Sequence, residues 1–177
     1  MKIKECIVQN GEQYDNEPCD EVLHRKLFDV NMRLYGENRY YRTLIHEVIE
    51  HLLTCLETSF EDYAKVKGIS GANVGIPFNI IAIRSGTETI PMINPKLLRQ
   101  SRKIRKTTSN CGSLNLKIDI EIERPEWITY SYYDMSGKRL TVEKLEVSDG
   151  ASTVLHEIEH NLGILIIDKQ TKKGKKS

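Results

Sequence analysis

"VLHEIEHNLG", residues 154–163, is the stretch on which the reading of this chain turns. It holds the pattern His-Glu-x-x-His, with a glycine three places after the second histidine. On a helix, residues i and i+4 share a face, with Cβ atoms about 5–6 Å apart, so His156 and His160 can reach one metal ion. Glu157 is one residue on, rotated by about 100°. It leaves the ligand direction and leans over a water on the ion's open side, where a general base belongs. A near-copy, "LIHEVIEHLL" (44–53), spaces His46 and His51 by five residues. The second ring is then turned about 140° from the first, which keeps the pair from sharing an ion. The apolar face of that segment explains its helix without chemistry.

Two histidines do not complete a catalytic metal site, which takes three protein ligands and keeps one position open. Extended to HExxHxxGxxH, the pattern finds Gly163, but Ile166 stands where a third histidine is required. The 17 residues after His160 contain no Glu, and Asp168 is the only carboxylate among them. The third ligand is therefore expected upstream, and Cys111 is the strongest candidate. It lies in "TSNCGSLNL" (108–116), a polar, glycine-containing break before a strand, where a thiol is free to face a metal. Cys6, Cys19 and Cys55 read as boundary or helix-core positions. A Cys-His-His set beside a glutamate suits a divalent ion of the Fe²⁺, Ni²⁺, Co²⁺ or Zn²⁺ class.

Length and composition set the frame. The 177 residues fit one domain with a real core. Charged residues make up 29% and apolar ones 39%, which excludes a disordered chain. A net charge of +1 gives no general basic field for DNA. The longest apolar runs, "NIIAI" (79–83) and "ILII" (164–167), are strand-sized and far short of the roughly 20 residues of a membrane span. The opening "MKIKECIVQNGEQYD" lacks the apolar core of a signal peptide. A cytoplasmic protein with reduced thiols is expected. The end "TKKGKKS" (171–177) carries four lysines, without which the net charge falls from +1 to −3. It is expected to be a flexible tail, with a weak contact to ribosomal RNA as the sharper reading.

The pattern along the chain predicts an α+β fold, mostly antiparallel strands around a central HExxH helix, with helices at the N-terminal end. Residues 19–36 carry Leu23, Leu27, Val30 and Leu34 at helical spacing, and 41–66 carry Leu44, Ile45, Val48, Leu52 and Leu56. After the Gly-rich "GISGANVGIP" (68–77), strands are expected at 78–84, 90–93, 97–105, 115–122, 127–133 and 139–147. A helix follows at 149–162, with Asp149 or Ser148 as N-cap and Gly163 as its stop. "ILIID" reads as a last strand. Residues 1–170 form one catalytic domain in this reading, ahead of the tail.

Three segments then line up in an order that resembles the peptide deformylases. That family carries a Gly-rich GxGxAAxQ, then EGCLS, then HExDH. Here they stand as "VKGISGAN" (66–73), "SNCGS" (109–113) and "HEIEH" (156–160). The flanks "VGIPFNIIAI" (74–83), "MINPKL" (92–97) and "RPEWITYSYYDMSGK" (124–138) are similar too, so the likeness covers roughly residues 60–168.

The resemblance implies that Cys111, His156 and His160 bind one divalent metal, Fe²⁺ in the cell, with Zn²⁺, Ni²⁺ or Co²⁺ in a purified sample. It implies Glu157 as general base and acid. The reaction would release formate from the formyl-methionine of nascent peptides. Asn73 and the Gly112 N–H would stabilise the oxyanion, and Gly68 and Asn110 would bind substrate. An HExxH metallopeptidase, another amide hydrolase or an inactive metal-binding relative is the alternative. The departures are plain. Asn73 stands for the family's Gln, one methylene or about 1.5 Å shorter. Ser70 and Gly71 replace the two alanines. Ser109 and Asn110 replace Glu and Gly, and the lost Glu normally pairs with an Arg. Gly112 replaces Leu, and Glu159 replaces the Asp of HExDH.

Overall fold

The run "IIAI" at 80–83 has no polar partner for any of its side chains, because both of its faces are buried. The computed structural model describes residues 13–14, 17–58, 66–114 and 119–169. In it this run is the start of β4 (Ile80–Ser85). Successive strand residues point to opposite faces. Ile80 and Ala82 enter a cluster with Ile45, Val48, Ile49 and Leu52, while Ile81 and Ile83 enter another with Val154, Leu155 and Ile158. One strand thus separates two helical layers, and continuous hydrophobicity is what a doubly covered strand requires.

The elements follow in chain order. A two-residue pair, β1 (Gln13–Tyr14) and β2 (Glu17–Pro18), leads into the short α1 (Cys19–Leu23). Then come α2 (Met32–Glu37) and the long α3 (Arg39–Thr58). β3 (Gly68–Ser70) precedes β4, and β5 (Glu88–Gln100) follows it. β6 (Ile104–Ser109) and β7 (Ile120–Pro125) form a separate antiparallel pair. β8 (Trp127–Tyr133), β9 (Arg139–Glu146) and α4 (Ala151–Asn161) close the described chain, with a 3₁₀ turn at Ile166–Lys169. The main sheet is antiparallel throughout, ordered β3-β4-β5-β8-β9. α3 covers one face and α4 the other, and a third cluster joins Val22, Leu23, Cys111 and Leu114 to Ile120 and Ile122. The α+β plan of antiparallel strands around the HExxH helix is the observed architecture.

The predicted helix over 19–36 is instead two short helices with an irregular link. Three long-range backbone bonds hold that link: Leu27 N–H to Asn161 O at 2.8 Å, Phe28 N–H to Pro77 O at 2.8 Å, and Asn79 N–H to Phe28 O at 2.7 Å. Asn31 then caps α2 by accepting from Leu34 N–H. Such partners outweigh a weak local propensity. The second predicted helix exists as α3, and its residues 59–65 fall outside those described. His46 bonds the Tyr35 hydroxyl at 2.6 Å and His51 faces Cys55 Sγ at 3.5 Å, so the near-copy motif has its two rings in different places.

Two predicted strands, 90–93 and 97–105, differ from what is seen. β5 runs unbroken across Pro91 and Pro95 to Gln100, and a new strand begins at Ile104. Pro91 is tolerated because β8 pairs with β5 only from Ile93 onward, leaving one side of β5 unpaired there. At the following bulge Asn94 adopts φ 51°, and its side chain bonds both the N–H and the carbonyl of Val30. The predicted strand over 115–122 begins only at Ile120, its first four residues lying outside those described. "ILIID" is not a strand. Leu165 and Ile166 are buried and Asp168 Oδ2 accepts from Leu165 N–H, closing a turn. The cap of α4 also differs from expectation: Gly150 occupies the N-cap position at φ 109°, with no side-chain cap bond. The Lys-rich 171–177 lie outside the described residues.

Gly163 does stop α4, in the left-handed region at φ 75°. A Cβ added there would collide with the backbone carbonyl of His24. Gly163→Ala combines that collision with backbone strain and is expected to cost about 1–3 kcal/mol, read as a lower urea midpoint at unchanged m-value. A midpoint equal to that of the unaltered protein would show that the link at 24–28 yields freely.

Candidate active site

α4 presents a different chemistry on each of its faces. Val154, Leu155 and Ile158 pack into the main sheet. His156 and His160, one turn apart, point the other way, toward the loop after β6. That loop carries Cys111, whose N–H is fixed by its neighbour's Asn110 Oδ1 at 2.8 Å. The result is a tight convergence. Cys111 Sγ lies 3.2 Å from His160 Nε2, which lies 3.2 Å from His156 Nε2, and the three donors are within 4.8 Å of one another. The rings meet edge to face with centroids 4.6 Å apart.

These donors fit a divalent cation. Two nitrogens 3.2 Å apart subtend about 100° at an ion held at the usual ~2.0–2.1 Å, close to tetrahedral. Both Nδ1 atoms are buried without a partner among the described residues, so no neighbour draws either ring out of the cluster. Burial, then the neighbouring His160 and the Arg124 guanidinium, hold His156 well below its usual pKa. Burial and Arg124 lower His160 to about 4. Both rings are therefore neutral near pH 7, as ligands must be. The Cys111 thiol is pushed up to about 12 by burial, against hydrogen bonds from Ser113 and Leu114 that pull the other way.

Glu157 projects from α4 toward β3. It is buried, its Oε2 has no partner among the described residues, and burial alone raises it to about 8. Gly68 of β3 makes room for it. A Cβ there would stand 2.9 Å from Glu157 Cγ and 3.0 Å from Oε1. Gly68 thus backs the glutamate directly, a contact that sequence spacing alone does not reveal.

Asn73 is buried in the 3₁₀ turn after β3. Its Oδ1 accepts from the N–H and hydroxyl of Ser70, both at 2.6 Å, and its Nδ2 donates to Ser113 Oγ at 2.5 Å. The shortened side chain is held from both sides, and one N–H of Nδ2 remains. Gly112 is exposed at the cavity, and its N–H has no partner among the described residues. Asn110 spends its side chain on the loop, donating to Asp119 Oδ1 at 3.0 Å as well as accepting from Cys111 N–H.

Glu159 faces the small sheet. Arg124 Nη1 donates to both its oxygens at 2.7 Å, and Lys169 Nζ joins Glu159 Oε1. Arg124 of β7 is thus paired with a glutamate of the HExxH helix. The residues missed from sequence are Ser70, Ser113 and Arg124. The only available signal was the lost Glu of the second motif, which left an arginine to be accounted for. A cavity of about 820 Å³ opens over the cluster, lined by Cys111, His156, Glu157 and Gly68 at its base.

The sequence model of the polypeptide deformylase family matches residues 19–176. The chain belongs to that family. A peptide deformylase of Agrobacterium fabrum is 34% identical over 129 residues, 69% of this chain and 72% of that one. The crystal structure of peptide deformylase from Thermotoga maritima superposes with a TM-score of 0.72 at 25% identity, covering 93% of this chain and 96% of the other. Plasmodium falciparum peptide deformylase, in complex with an inhibitor, gives a TM-score of 0.72 at 26% identity, over 94% and 89% of the two chains. The deformylase fold is thus retained in full depth around α4. No helix among the described residues is long and apolar enough to cross a membrane.

Because the thiol is held protonated near neutrality and the imidazoles are not, a metal bound through Cys111 would expel the thiol proton. In a Glu157→Gln background, calorimetric titration with Ni²⁺ at pH 7 in buffers of differing ionisation enthalpy is expected to show about one proton released. Affinity is expected to rise about tenfold per pH unit below the thiol pKa. Replacing Cys111 by Ala should abolish the release. A buffer-independent enthalpy with Cys111 intact would exclude the thiol as a ligand.

Proposed function

We infer that this chain is a metal-dependent hydrolase that removes the N-formyl group from formyl-methionine at the N-terminus of newly made polypeptides and releases formate. The observation that carries this reading is the convergence of Cys111, His156 and His160 beside the buried Glu157, in a member of the polypeptide deformylase family. The three side chains would hold one divalent ion, Fe²⁺ in the cell, with Zn²⁺, Ni²⁺ and Co²⁺ suited to the same donors. Bound there, the ion would polarise the formyl carbonyl and acidify a water.

The chain's own groups do the rest. Glu157 takes a proton from the attacking water at its free Oε2 and later gives it to the departing amine nitrogen. A carboxyl poised near neutrality suits both directions of that transfer, and burial is what poises it. Oxygen adds to the formyl carbon, the C–N bond breaks, and formate and a free amino end result. As the formyl oxygen gains charge, the Gly112 N–H and the remaining N–H of Asn73 donate to it. Ser113 and Ser70 hold Asn73 in place, so the shorter side chain serves as a fixed donor. Substrates that emerge from the ribosome put this work in the cytoplasm, and the four lysines of 171–177 supply a weak contact to ribosomal RNA.

Formate release from a formyl-Met peptide, with protein loaded anaerobically with Fe²⁺ or with Ni²⁺, tests the assignment. Glu157→Ala is expected to lose at least about 10²-fold in kcat with metal content unchanged. Release no greater than in that variant would sink the reading. Gly68→Ala pushes directly on the Glu157 side chain, so kcat is expected to drop about ten- to a hundredfold while metal stoichiometry holds. Full activity in Gly68→Ala would separate the glutamate's position from the chemistry.

A further inference from the structure

Ser113 carries a buried hydroxyl whose direction is set by its neighbours. Asn73 Oδ1 accepts from both the N–H and the hydroxyl of Ser70, at 2.6 Å each. A carboxamide oxygen taken up by two donors leaves the nitrogen to point the other way. The atom that meets Ser113 Oγ at 2.5 Å is therefore Nδ2, which has only hydrogens to offer. Ser113 accepts in that bond, so its own proton is left to give.

Ser113 is 2% exposed, and a hydroxyl at that depth needs an acceptor inside the protein. Cys111 is two residues away. Leu114 N–H bonds the Cys111 carbonyl at 3.1 Å, which closes a turn over Cys111–Leu114 and keeps Ser113 against the start of its own loop. Hydrogen bonds from the Ser113 N–H and hydroxyl pull the Cys111 thiol down against its burial, so the sulfur is the acceptor that the hydroxyl meets. Donation then runs one way, from Ser70 to Asn73, from Asn73 to Ser113, and from Ser113 to the sulfur.

We propose that Ser113 is a positioning residue shared by two arms of the site, accepting from Asn73 and donating to the Cys111 sulfur that binds the metal. The proposal rests on the metal-dependent deformylase reading and adds to it a residue that acts through others. A hydrogen bond on a ligand sulfur withdraws part of the charge the sulfur gives its ion, which leaves the ion a stronger acid toward water and carbonyl oxygen. The same hydroxyl occupies one N–H of Asn73, so the other is held as a fixed donor for the oxyanion. One oxygen atom thus acts on the charge of the ligand and on the aim of the donor.

Co²⁺-loaded protein tests the bond to sulfur without substrate, through the sulfur-to-cobalt charge-transfer absorption. A hydrogen bond lowers the energy of the sulfur lone pairs, so its loss moves that absorption to longer wavelength. Ser113→Ala is expected to show this shift, and to bind Co²⁺ about ten- to a hundredfold more weakly in competition with a chelator. Ser113→Thr, which keeps the hydroxyl, is expected to leave the band in place. Asn73→Ala removes the upstream donor alone. Its band is expected to stay, while kcat for formate release from a formyl-Met peptide falls about 10²-fold. Ser113→Ala is expected to lower kcat as well, because Asn73 loses its support. An unmoved band in Ser113→Ala, or an equal shift in Ser113→Thr, would overturn the bond to sulfur. Unchanged kcat in Ser113→Ala would overturn the role toward Asn73. Protein that shows the band and releases no formate fails the deformylase reading, and the band of Ser113→Ala then still decides for or against the bond to sulfur. Absence of the band from the unaltered protein would remove Cys111 as a ligand and the proposal with it.

Discussion

Arg124 and Glu159 join the two halves of the active site. Glu159 belongs to α4, which supplies His156, Glu157 and His160, and Arg124 belongs to β7, at the far end of the loop that supplies Cys111. The side chains are 1% and 5% exposed, so neither charge has water to fall back on. Mutual attraction at such depth offsets desolvation only when the geometry is good, and removing one partner leaves an isolated charge at a cost of about 3–5 kcal/mol. A docking of β7 on α4 that shifted by one residue would break the bidentate contact. The pair therefore fixes registry between the thiol and the imidazoles. Burial first, and then the same guanidinium, lowers His156 and His160 and keeps both rings neutral. One ion pair thus fixes the position of the donors and adds to the burial that keeps the imidazoles neutral.

The remaining burden falls on α4 itself. Glu157, Glu159, His160 and Asn161 are all buried on an eleven-residue helix. Such a segment would not stay folded by propensity. It is held by Val154, Leu155 and Ile158, whose burial in the sheet contributes about 1.5–3 kcal/mol per side chain. Asn161 adds a polar anchor, donating through Nδ2 to Asn79 Oδ1 and to the Ile80 carbonyl. Glu159 is satisfied by its cations. Glu157 lines the cavity, and its buried Oε2 has no partner among the described residues. Burial without a partner is unfavourable for stability, and that unmet demand raises the carboxyl toward neutrality.

Periodicity makes α3, α4 and the main sheet legible in the sequence, because each has one dominant environment per face. Where contacts come from far along the chain, periodicity misleads. Leu23, Leu27, Val30 and Leu34 keep helical spacing, yet Leu27 and Phe28 bond to Asn161 and Pro77 instead. The capping power of Asn31 is the local hint of the break. Pro91 and Pro95 suggest two strands where there is one, since one-sided pairing relieves the missing N–H. For the site, the spacing of His156 and His160 and the loop chemistry around Cys111 are readable from residue types. The grip on Asn73 is not, because Ser113 is forty residues away and reaches it only through the fold.

The departures from the family's motifs are distributed unevenly, and the fold explains where they fall. Cys111, Glu157, His156 and His160 are as the motifs require. Of the positions that depart from the motifs, Val66, Ser109, Asn110 and Gly112 line the cavity, Asn73 bonds Ser113 beside it, and Ser70, Gly71 and Glu159 are buried. Changes of that kind leave the reacting groups in place and alter what surrounds the substrate. With Ser109 at the second motif's Glu position, Arg124 of β7 still has a carboxylate partner in Glu159 of α4. The shortening at 73 would leave a gap were Ser113 not there to meet the carboxamide. Asn73 and Arg124 are thus each held by a contact that lies beneath the cavity wall.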